Sequence, residues 1–154
     1  MRFISRLKRI LRRTFHQLVN PTPERLLRKR QVAKKRSIPV YANRPNKVIL
    51  SMVNYERRKH HLAPIKFDQD LENHAIRWSK HMAHQRSLSH SGTILENCCT
   101  VPNTGSSTSI AKSMFSTWRS SKPHWKWMMD PEIRFAALGY TISGKQVYGA
   151  YAFR

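Results

Sequence analysis

The side chains able to do chemistry in this sequence are histidines, a few carboxylates, hydroxyls and one pair of cysteines. His90, Glu96, Ser121 and His124 supply two imidazoles, a carboxylate and a hydroxyl. Such a set could hold one divalent ion, zinc first, and leave a position open for water or a ligand. An imidazole is also the usual general base near neutral pH, and a carboxylate can orient its N–H. The plainer account is that the four groups hydrogen-bond one another to close a core, because buried polar groups must be paired. Their separations along the chain do not by themselves bring them together.

The remaining candidates carry less. His74, His81 and His84 share one predicted helix, where a surface metal patch is geometrically possible but a solvated polar face is the simpler reading. His60 and His61 fall at a helix end, where an imidazolium favours the dipole. Trp125 and Trp127 flank Lys126 and either line a cleft or anchor a helix by core packing. Cys98 and Cys99 are adjacent, so in a strand they point to opposite faces and cannot staple distant segments. The pair could bind a soft metal or be redox-active; two small strand residues is the plainer account. There is no C-x-x-C, no G-x-S-x-G elbow and, with five glycines in all, no Gly-rich phosphate loop.

The elements that must position these groups follow from periodicity. Val48, Ile49, Met52 and Val53 mark a first helix that ends near His61. Asp68 is a good N-cap for a second helix from about Gln69 to Arg86, with Asp70 and Glu72 in its first turn and Leu71, Ala75, Trp78 and Met82 on its buried face. A third helix runs from about Ser109 to Ser120, with Ile110, Ala111, Met114, Phe115 and Trp118 inward. Ala137 to Ile142 and Gln146 to Phe153 flank Ser143-Gly144-Lys145 as a hairpin, and Ile94 to Val101 is apolar enough for a further strand. Helices with an antiparallel hairpin indicate an α+β layered domain.

Charge divides the chain differently. Its 154 residues hold 29 Lys and Arg against 8 Asp and Glu, a net charge of +21. Residues 1–47 carry 15 of the basic groups and only Glu24 as an acid, so two thirds of the excess sits in the first third. Within residues 1–20 the apolar groups Phe3, Ile4, Leu7, Ile10, Leu11, Phe15, Leu18 and Val19 recur in steps of three and four, with Arg and Lys between them. No apolar run there is long enough for a transmembrane helix or an ordinary signal peptide. A basic amphipathic helix suits an anionic membrane surface, its apolar face in the headgroup boundary. Packing on the domain, an organelle presequence and nucleic-acid binding are the competing readings. Residues 21–45, with Pro39 and Pro45 near their end, read as a basic linker, and residues 46–154 as the folded domain.

An ordered series of motifs then carries a resemblance. Asn54-x-x-Arg57 is followed by Leu62-x-Pro64-Ile65-x-Phe67-Asp68-x-x-Leu71 and by Ala75-x-x-Trp78-Ser79-x-x-Met82-Ala83. Leu88-Ser89-His90, Glu96-Asn97 and Trp118-x-x-Ser121-x-x-His124 come next, before the aromatic hairpin. Each motif is weak alone; their order and spacing resemble the CAP superfamily of cysteine-rich secretory, antigen 5 and pathogenesis-related proteins. The W-x-x-S-x-x-H form is most similar to the prokaryotic branch. The resemblance implies a three-layer α-β-α sandwich with a central antiparallel sheet, and a cleft to which His90, His124 and Glu96 contribute. Ser121 stands where a second acid would be, which weakens any mechanism needing two carboxylates.

A binding module therefore ranks ahead of an enzyme. It would hold a small lipid-like ligand, a peptide or a divalent ion at His90, Glu96, Ser121 and His124, with His90 and His124 as the first metal ligands and Glu96 as a further one. The basic arm would tether it to an anionic membrane, making it peripheral or secreted. A metal-assisted hydrolase and a polyanion-associated protein are the alternatives.

Overall fold

A computed structural model of the protein describes residues 43–154. The expected amphipathic helix over residues 1–20 and nearly all of the linker lie outside the described residues. The chain forms helix α1 (Arg44–Lys59), strand β1 (Lys66–Phe67), helix α2 (Gln69–Gln85), strand β2 (Leu95–Pro102), helices α3 (Ser107–Arg119) and α4 (Lys122–Met128), then strands β3 (Phe135–Ser143) and β4 (Gln146–Phe153).

Local chemistry sets the boundaries. The Asn43 side chain caps α1 by accepting from Asn46 N, so the helix begins before Val48, and Pro45 sits in its first turn where a missing N–H costs nothing. Asp68 caps α2 through Leu71 N, as expected, and Arg86 ends it in the left-handed region at φ 53°. Helix α4 is an element the periodicity did not announce: it spans seven residues, too few to display a stripe, and Pro123 lies in its first turn.

The sheet order is β1-β3-β4-β2. β3 with β4 and β4 with β2 are antiparallel, but β1 pairs parallel with β3 through Lys66–Phe135 and Phe67–Ala136. The sheet is therefore mixed, not wholly antiparallel as expected; a two-residue strand had no alternation to reveal it. Gly144, at φ +61°, makes the tight turn between β3 and β4.

Helices cover both faces. On one side α1, α3 and α4 pack Ile49, Val53, Ile110, Met114, Trp118 and Met128 against Val147, Tyr151 and Phe153. On the other, α2 packs Leu71, Ala75 and Met82 against Cys98, Ala137, Tyr148, Ala150 and Ala152. This is the α-β-α sandwich. It explains why every residue of β4 from Val147 to Phe153 is buried, where a one-sided sheet would show alternation.

Two polar side chains tie the layers. Arg57 is fully buried, and its guanidinium donates to the carbonyls of Ala63, Met128, Asp130 and Ile133 at 2.7–3.3 Å. Asn46, also fully buried, accepts from Leu138 N at 2.6 Å and donates to Leu138 O at 3.0 Å. β1 ends opposite Ala136, so the Asn46 amide satisfies the next outward pair on β3 that a longer β1 would have met.

Candidate functional site

Glu96 lies near the start of β2, with Ala152 beside it on β4. Strand alternation turns Glu96 and Cys98 toward α2, and Asn97 and Cys99 toward α3 and α4. The Glu96 side chain is 1% exposed. Its Oε1 accepts from Ser91 N in the loop between α2 and β2, and His90 Nδ1 of the same loop stands 3.8 Å away. On the other side His74 Nε2, from α2, approaches Oε2 to 3.4 Å. Neither His74 Nε2 nor Glu96 Oε2 has a hydrogen-bond partner, although both are buried.

The loop carrying His90 is held by α2: Trp78 Nε1 donates to Ser89 O at 2.9 Å, and the Trp78 ring stacks on His81 at 4.5 Å. The His90 side chain is 61% exposed, so solvent reaches the site from its side. Donor atoms of His90, Glu96 and Cys98 lie within 4.8 Å of one another, the one such convergence of three His, Cys, Asp or Glu donors among the described residues. Burial, and then the charge of Glu96, push the Cys98 thiol up to about 12, with the Trp78 side chain pulling slightly the other way.

Two of the other expected residues come from α4. Ser121 is its N-cap residue, with no capping hydrogen bond from its hydroxyl. His124 lies in the helix; its carbonyl accepts from Asn97 Nδ2 at 3.0 Å, which fastens α4 to β2. Its Nδ1 is buried without a partner. Burial, and then the charge of His90, lower the His124 pKa, so the two imidazoles lie within electrostatic reach of each other. The structure thus brings His90 to Glu96, whereas His124, which feels the charge of His90, is not among the donors that converge there. Trp125 and Trp127 pack against the core.

Two residues beside Glu96, His74 and Cys98, lie outside the set that the motifs imply. His74 was read with His81 and His84 as a solvated face; it is instead turned in, its side chain 20% exposed. The signal was there: it stands three residues after Leu71 and four before Trp78, on the rim of the buried stripe. Cys98 was weighed with Cys99 as a pair, whereas its position two residues after Glu96 puts it on the same face.

The cysteine-rich secretory protein family (CAP) matches residues 50–153. No curated protein matches the chain by sequence. Among solved structures, NaASP2 with Zn2+ superposes with a TM-score of 0.63 at 12% identity, over 75% of this chain and 82% of that one. Manganese-bound Ac-ASP-7 gives 0.57 at 13% identity, over 73% and 69%. An extracellular protein containing a SCP domain from Bacillus anthracis str. Ames gives 0.51 at 20% identity, over 77% of this chain but 45% of that one. At these identities the likeness speaks for the fold. With the family match spanning two thirds of the sequence, the chain belongs to the cysteine-rich secretory protein (CAP) family.

Proposed function

We propose that the protein is a binding module whose site at His90 and Glu96 takes a divalent ion, with His124 and Ser121 at its margin, and that its basic arm tethers it to an anionic membrane. The observation that carries this reading is the Glu96 carboxylate: enclosed by protein, with one oxygen unpartnered and an imidazole near each oxygen. Taking a carboxylate out of water costs several kcal/mol even after the protein relaxes around it. A divalent cation bound there would offset that cost, and imidazole with carboxylate is a fitting donor set for zinc. Two relatives by fold, NaASP2 and Ac-ASP-7, were solved with zinc and manganese respectively.

The exposed position of His90 leaves the metal's outer side to water or to a ligand group. Leu88 and Leu95, large apolar side chains at 49% and 43% exposure, belong to the segment that carries His90 and Glu96. They favour a ligand with an apolar part beside its polar head. The arm supplies the location: the excess of basic groups in residues 1–47 and the apolar stripe of residues 1–20 suit a lipid surface, where the protein would act as a peripheral or secreted component. Among the described residues no helix is long and apolar enough to cross a membrane.

Two measurements test the two halves. Zinc titration of untagged protein is expected to give one site, lost in Glu96→Gln and weakened in His90→Ala; retention of full affinity by both variants overturns the site. Flotation with anionic vesicles is expected for the full chain and not for residues 40–154; equal flotation overturns the tether.

A further inference from the structure

We propose that Cys98 is a thiolate ligand of this site, making it a His90–Glu96–Cys98 centre that selects zinc-class ions over manganese, magnesium and calcium. The inference rests on the reading that His90 and Glu96 bind a divalent ion, and it adds the third protein ligand and the metal class.

Geometry carries it. The three donor atoms lie within 4.8 Å of one another before any metal draws them in. Metal bonds of about 2.0–2.3 Å in a tetrahedron put ligand atoms about 3.3–3.8 Å apart, so a contraction of about 1 Å completes the set. Glu96 and Cys98 are fixed by the β2–β4 register, opposite Ala152 and Ala150, so their side chains share one face of the sheet. His90, exposed and on a loop, is the ligand free to swing.

The way the Glu96 carboxylate is held fits the same role. Glu96 Oε1, the oxygen on the His90 side, is already oriented by Ser91 N, and Oε2 faces His74 without a hydrogen bond. A carboxylate already oriented by a backbone N–H, with lone pairs to spare, is how metal-binding carboxylates are commonly presented. Cys99 serves as the built-in contrast, since it turns to the opposite core and away from Glu96. When metal binds, the Cys98 sulfur exchanges its proton for the metal and the proton passes to solvent, with no change of oxidation state. Thiolate, imidazole and carboxylate in a tetrahedral set suit zinc, whereas manganese, magnesium and calcium prefer oxygen donors in larger shells.

The test is cobalt(II) substitution of the full-length protein, kept reduced with a phosphine that does not chelate. The expected result is intense visible ligand-field bands together with a near-ultraviolet thiolate-to-cobalt charge-transfer band. Cys98→Ser should lose the charge-transfer band and at least ~10-fold in affinity, while Cys99→Ser keeps both. Ligand-field bands without a charge-transfer band in the unmodified protein overturn Cys98 as a ligand and leave the imidazole–carboxylate site standing; this outcome needs no variant to fold. A charge-transfer band that survives Cys98→Ser, or disappears in Cys99→Ser, also overturns it. No cobalt bound at all overturns this inference and the metal reading beneath it.

Discussion

His74 Nε2 stands 3.4 Å from Glu96 Oε2, and neither atom is hydrogen-bonded. One lies on α2 and the other on β2, so this polar pair sits in a layer built largely of Leu71, Ala75, Met82 and alanines. A core selected for stability alone would not keep an acid there.

Replacing that acid should therefore separate stability from binding. In Glu96→Gln the amide oxygen can still accept from Ser91 N, while the amide N–H₂ faces His74 Nε2 with no charge to bury. The metal-free variant is expected to be more stable than the parent by about 1 kcal/mol, read as a higher urea midpoint. Zinc should raise the midpoint of the parent and leave that of the variant unmoved. A metal-free variant less stable than the parent would contradict the account of the pair.

Asn46 and Leu138 are expected to be the stability counterpart of that pair. Asn46→Leu removes both partners of the Leu138 peptide groups and also the donor that reaches Glu72 Oε1 at 2.8 Å. Each buried group left unpaired costs about 1–3 kcal/mol, so a loss of about 3 kcal/mol or more is expected by urea denaturation. A loss below about 1 kcal/mol would show that solvent replaces these bonds.

These two examples also mark how far the sequence could be read. The helices with strong stripes, the Asp68 cap and the β3–β4 hairpin were legible, since each rests on local pattern. The motif order pointed to the sandwich. β1 and α4 were not legible, because two and seven residues are too few to show a period. Asn46 gave no sign of its role: its partner is 92 residues away. His74 and Cys98 were missed for a related reason. Their types were visible, but their inclusion depends on the face each one shares with a neighbour, Leu71 or Glu96, and each was grouped with residues of its own type instead.

The two strand glycines facing helices should respond unequally to alanine. A Cβ at Gly139 would stand 2.2 Å from Ile76 N and 2.3 Å from Ala75 C, backbone atoms of α2 that can move only with the whole helix. A Cβ at Gly149 would meet the end of the Met114 side chain at 2.5 Å, which can change rotamer. Gly139→Ala is expected to abolish soluble folded protein, and Gly149→Ala to cost about 1–3 kcal/mol. Circular dichroism and thermal melts of the two variants decide it; similar melting temperatures would contradict the close α2–β3 contact.

Burial and the neighbouring His90 lower the His124 pKa. The unfolded chain takes a proton on His124 near the ordinary value of about 6.5, whereas the folded protein resists it until a lower pH. Between those two values the unfolded state holds more protons, so this residue's contribution makes stability fall as pH drops below about 6.5, with the fall ending below the folded pKa. His124→Gln removes that component. The expected result is a smaller loss of melting temperature for the variant than for the parent between about pH 7.5 and about pH 5. Equal losses would contradict a lowered His124 pKa in the folded protein.

Anomalous diffraction at the zinc edge, from crystals of the zinc-loaded protein, places the metal directly. The account predicts one peak at full occupancy, about 2.0–2.2 Å from a His90 ring nitrogen and a Glu96 carboxylate oxygen. A peak on the exposed histidines His60, His61, His81 or His84 instead, with the Glu96 carboxylate still unpartnered, would contradict it.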